Sequence, residues 1–99
     1  MSKYHALITI FSTDRGGIPE MPFGSGYSPH ACTPSGQEYL PIILNDIPAS
    51  AQLDTEFRAF IEIRHPTRAD YSAIETGELF DLIQGVKKVG EARLILDAR

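Results

Sequence analysis

The sequence predicts an all-β domain, a small closed β-barrel of six short strands. Three observations predict it. Apolar runs of strand length recur at short intervals, Gly or Pro punctuates most gaps between them, and only one stretch carries any helical spacing. With 99 residues, the chain is expected to form one domain over 1–99, because halving it would leave neither part an adequate core. Wrapping such a sheet into a cylinder removes the free strand edges that invite aggregation.

The first strand is read over Tyr4 to Ser12. Tyr4, Ala6, Ile8 and Ile10 share one side of a period-2 ribbon, while Leu7 and Phe11 lie on the other, so both faces are expected to be covered. Asp14-Arg15-Gly16-Gly17 is a turn signal. The loop that follows holds Pro19, Pro22, Gly24 and Gly26, too many breakers for a helix. A short strand is expected near Ser28 to Cys32, ended by a Thr33-Pro34-Ser35-Gly36 turn. Tyr39 to Leu44 is the third, demoted by Pro41 to an edge or bulged strand.

Ala51 to Arg64 reads two ways. Leu53, Phe57, Phe60 and Ile61 have helical spacing, yet Phe57, Ala59, Ile61 and Ile63 alternate with Arg58, Glu62 and Arg64 as a strand would, interrupted only by Phe60. Strand is the preferred reading, and His65-Pro66 ends either one. After a polar loop with Gly77, Leu79 to Ile83 and Ala92 to Leu96 form the last two runs. Gln84 to Gly90 joins them as a glycine-flanked hairpin.

The 42% hydrophobic and 22% charged fractions are those of an ordinary folded chain. Thirteen acidic residues against nine basic ones, a formal charge of −4, exclude a generally basic surface for nucleic acid. No membrane contact and no DNA partner are expected. There is no apolar run of membrane-spanning length, and Met1-Ser2-Lys3-Tyr4-His5 does not begin a secretory signal. The single cysteine, Cys32, cannot form an internal disulfide and fits a reducing, cytoplasmic setting.

No catalytic arrangement stands out, so an enzyme is not expected, nor any cofactor or metal. His5, His30, His65 and Cys32 match no compact zinc spacing. Gly24-Ser25-Gly26 lacks the wider glycine frame of a nucleophile elbow, since Phe23 and Tyr27 flank it. Acidic pairs such as Asp54/Glu56 read as solvated face. Lys87, Lys88 and Arg93, with Arg64 and Arg68 elsewhere, are candidates for a cationic patch. The loop bearing Ile18, Met21 and Phe23 either folds across a barrel end or forms a recognition surface.

Two blocks carry a resemblance. One is Ala6 through Gly17, then Met21-Pro22-Phe23 and Ser25-Gly26-Tyr27-Ser28-Pro29; the other is Leu79-Phe80-Asp81-Leu82-Ile83-Gln84-Gly85 through Ala92. With Ile63-Arg64-His65-Pro66 between them, they resemble the third domain of elongation factor Tu, its C-terminal β-barrel. The likeness spans nearly the whole chain, and the Leu79 to Ala92 block is its most specific part. It implies a six-stranded antiparallel barrel, a strand for the ambiguous segment, and tight-turn roles for Gly85 and Gly90. Tyr27 would sit at the core edge and Pro29 would stiffen the start of its strand.

No Gly-x-x-x-x-Gly-Lys-(Ser/Thr) loop occurs, so the GTPase domain of such a factor is not present in this chain. The resemblance implies tRNA contacts near Ile18, His30, His65 and Gly85. Ile18 stands where the family has Arg, His30 where it has Gln, and Cys32-Thr33-Pro34-Ser35-Gly36 replaces the family's polar contact segment. A non-enzymatic module that binds a protein partner is therefore the expected function, as a translation-factor mimic or a toxin-neutralising partner. The alternative is an RNA-binding module that holds a tRNA stem. His30, His65, Gly85, Lys87 and Lys88 are the candidate contact residues.

Overall fold

The computed structural model describes residues 2–33, 39–63 and 72–95. Six strands close into an antiparallel barrel: β1 (Ser2–Ile10), β2 (His30–Cys32), β3 (Leu40–Asn45), β4 (Phe57–Ile63), β5 (Phe80–Gln84) and β6 (Lys87–Leu94). Around the cylinder the order is β1-β4-β3-β2-β5-β6, with β6 closing back on β1. Among the described residues no helix is long and apolar enough to cross a membrane.

Alternation explains the interior. Ala6, Ile8 and Ile10 from β1, Ile42 and Leu44 from β3, and Ile61 from β4 are fully buried, as are Phe80, Leu82 and Val89. Period-2 spacing puts each set on one face of its strand, and curvature turns that face inward. The stretch from Phe57 to Ile63 is a strand, with Phe57, Ala59, Ile61 and Ile63 buried. Phe60 broke the pattern because it lies outside. His5 meets its ring edge-on at 4.3 Å, and the Lys3 ammonium stands 5.0 Å from the ring centre.

Several expectations are corrected. β3 is not an edge strand; it lies between β4 and β2, and its ladder with β4 begins only at Ile42, one residue after Pro41. The last hairpin does not run from Gln84 to Gly90. Gln84 already pairs with Lys87, leaving a two-residue turn of Gly85 and Val86. Gly85 has φ +67 and Val86 does not share it, the pattern of a type II′ turn.

Gly90 is not at a turn either. It lies within β6 opposite Ile10, where an added Cβ would fall 2.3 Å from the Thr9 carbonyl oxygen. Two helical turns were also not anticipated, a 3₁₀ turn at Thr13–Arg15 and one α-helical turn, α1, at Ser72–Glu75.

The loop after β1 folds across a barrel end. Met21 joins the core and Ile18 packs against it. Beyond them Gly24 to Tyr27 runs antiparallel beside Leu44 to Ile47. Leu44 and Ile47 donate their amides to the Tyr27 and Gly24 carbonyls at 2.7 and 2.9 Å. This pairing lengthens the barrel wall where β2 alone is only three residues. Ser25 Oγ accepts the Asp46 amide at 3.1 Å, a loop fastening that accounts for this serine without chemistry.

Candidate functional site

The barrel wall brings four of the five candidate contact residues to neighbouring rungs of β2, β5 and β6, with His30 and Lys88 on its outer face and Lys87 on the opposite one. His30 pairs with Pro41 on one side and Ile83 on the other, and Ile83 pairs with Lys88. Ala31 between His30 and Cys32 points into the core, so His30 faces out and is half-buried. The next rung of β5 and β6 joins Gln84 to Lys87, and Gly85 lies just beyond at the turn. His65 lies outside the described residues, as do Arg64, Arg68 and residues 34–36 of the expected turn.

Aromatic and apolar groups lie around these rungs. Tyr39 is 50% exposed, and its ring lies 6.2 Å from that of His30, centre to centre. Tyr27 donates its hydroxyl hydrogen to Gln84 Oε1 at 2.6 Å, and partial burial raises its pKa above that of a free tyrosine. At the hairpin tip Val86 is 98% exposed. A tight turn normally carries polar residues there; here it holds a β-branched apolar side chain clear of the barrel.

The two lysines differ. Lys88 Nζ reaches Asp81 Oδ1 at 3.1 Å and Glu91 Oε2 at 3.7 Å, and it lies 5.7 Å from the Phe11 ring centre. Its charge is largely answered within the chain. Lys87, exposed at the tip, has no ion pair among the described residues.

The cationic patch imagined for Lys87, Lys88 and Arg93 does not assemble as one group. Arg93 pairs across to Leu7 on β1, away from the hairpin. Ile18, one of the implied tRNA contacts, packs on the core and donates its amide to the Phe11 carbonyl at 2.9 Å.

Sequence reasoning missed Val86 as an exposed anchor and did not join Arg58 to Arg93. From the sequence Val86 reads as part of a longer connection, Gln84 to Gly90, where exposure carries no signal. The Arg pair depends on register, which alternation alone does not set. Among the described residues no group of three or more His, Cys, Asp and Glu is placed to hold a metal ion. No protein-family model matches the chain, and no curated protein matches it.

Proposed function

We propose that this chain is a non-enzymatic protein-binding module, a barrel of the kind that forms the third domain of elongation factor Tu, acting without the GTPase domain. The observation that carries this reading is Val86, 98% exposed on a turn whose backbone Gly85 defines. An apolar side chain presented on a short, stiff hairpin loses little entropy when a partner buries it. Tyr39 and His30, whose rings lie 6.2 Å apart on the barrel wall, supply the aromatic surface that interfaces favour. Such a module serves as a translation-factor mimic or as a partner that neutralises a toxin, and the cytoplasm is the setting it fits.

A tRNA stem is the second reading, supported by Lys87 and His30 on neighbouring rungs of the wall. Internal pairing of Lys88 and the packing of Ile18 remove two of its contacts, so the protein reading is preferred. The full chain and its Val86→Ser variant, used as bait, decide between them. A retained protein is then purified and titrated against both forms. The expected result is a partner whose affinity falls about tenfold or more with the variant, a loss of roughly 1.4 kcal/mol or more. Retention of no protein, together with salt-sensitive binding of aminoacylated tRNA, replaces this reading with the RNA one.

A further inference from the structure

A second face of the barrel, away from the hairpin tip, carries a cationic row. β1 lies between β4 and β6, and Leu7 pairs with Arg58 on one side and Arg93 on the other. Ala6 and Ile8 point inward, so Leu7 faces out with an arginine on each flank. Both arginines are exposed. Lys3, Arg15 and Lys88 each have a carboxylate within 4.0 Å, whereas Arg58 and Arg93 have none among the described residues.

Acids flank the row along its strands: Glu56 stands exposed two residues before Arg58, and Glu62 and Glu91 lie further along β4 and β6. Glu62 accepts a hydrogen bond from Asn45 at 3.1 Å, and Glu91, on the neighbouring rung opposite Thr9, lies 3.7 Å from Lys88. Two cations without an ion pair among the described residues thus bracket an apolar side chain on a chain of net charge −4.

We infer that the Arg58–Leu7–Arg93 row docks an acidic amphipathic helix of a protein partner, an inference that rests on the binding-module reading above. Adjacent strands lie about 4.8 Å apart, so the two arginine Cα atoms are separated by about 10 Å with Leu7 midway. Residues i and i+7 of an α-helix are about 10.5 Å apart on one face, with i+3 or i+4 between them. Acids at i and i+7 and a leucine between therefore match the row in both spacing and chemistry. An extended strand repeats each face about every 6.7 Å and misses that spacing. A nucleic acid is the poorer match, because two cations release few counterions and the net negative charge opposes a polyanion.

The test uses the full chain, isotope-labelled and followed by amide NMR. The probes are a synthetic helical peptide repeating Glu-x-x-Leu-x-x-x-Glu, its counterpart with Gln for Glu, and a short RNA stem. The acidic peptide is expected to shift the amides of Leu7, Arg58 and Arg93. Its affinity should fall at least about tenfold with the Gln peptide and with the Arg58→Glu/Arg93→Glu variant. If that variant does not fold, Arg58→Gln/Arg93→Gln replaces it and must show the same loss.

No shift at this row, equal binding of the Gln peptide, or a stronger response to the RNA stem overturns the inference. Shifts confined to Gly85 and Val86 overturn it too, yet leave the binding-module reading standing.

Discussion

Lys88 and Glu91 stand three apart on β6 and yet face the same way, Nζ to Oε2 3.7 Å across the outside of the barrel. In a regular strand, residues three apart point to opposite faces. Here the register with β5 slips between Leu82 and Ile83: Leu82 pairs with Gly90 and Ile83 with Lys88. Val89 is the extra residue, fully buried, and this bulge reverses the parity of everything beyond it. Asp81 completes the cluster from the facing strand.

Because the Lys88 side chain is about half exposed, its ion pairs are screened and contribute little. Lys88→Met is expected to cost under about 1 kcal/mol, and less at high salt. Urea unfolding at low and high ionic strength checks this. A loss of several kcal/mol, unchanged by salt, would mean the cluster is a buried network.

Gly85 and Gly90 are needed for different reasons, and alanine should separate them. At Gly85 nothing lies within 4 Å of an added Cβ, so only the φ of +67 resists, at about 1–2 kcal/mol. At Gly90 the Cβ would strike the Thr9 carbonyl, and β1 would have to move. Gly90→Ala should therefore destabilise by about 3 kcal/mol, more than Gly85→Ala. Equal midpoints in denaturant would contradict the close approach of β1 and β6.

How much of this was legible in the sequence depends on which residues face inward. The first strand was readable because Ala6, Ile8 and Ile10 keep strict alternation against one core. Phe60 blurred the fourth, since an aromatic ring on the outer face, covered by His5 and Lys3, mimics a helical repeat. The start of β6 was hidden because the bulge at Val89 breaks period 2 just where the strand begins. A single helical turn such as Ser72–Glu75 is too short to leave any 3.6-residue signature. Of the candidate site, His30, Gly85 and Lys87 were legible as residues, but the rows that join His30 to Lys88 and Arg58 to Arg93 come from register.

Stability should fall at both ends of the pH range. Asp54 accepts the Ser12 amide at 3.0 Å, and this bond chiefly holds its carboxyl below the usual range, with Arg15 adding to it. A lowered folded-state pKa contributes stability above the unfolded aspartate value near 4, and that contribution is lost as pH falls through the folded value. Asp54→Asn should flatten the acid limb. Tyr27 is shifted the other way by burial. Its contribution is complete below about pH 10 and is lost as pH rises through the raised folded value, so Tyr27→Phe should flatten the alkaline limb. Thermal melts across pH test both; limbs that survive the substitutions would assign them to other groups.

Phe80 is the most demanding single residue of the barrel. It is fully buried, it opens β5, and it pairs with Ala92, whose small side chain leaves room inside for the ring. Neighbouring side chains cannot collapse far in a closed cylinder, because every strand is held on both sides. Phe80→Ala is therefore expected to cost about 3–5 kcal/mol, a large share of the stability of a chain this size. Phe80→Leu keeps most of the volume and should cost distinctly less. Denaturant midpoints for the two variants give the comparison, and a Phe80→Ala loss below about 1 kcal/mol would place that ring outside the barrel.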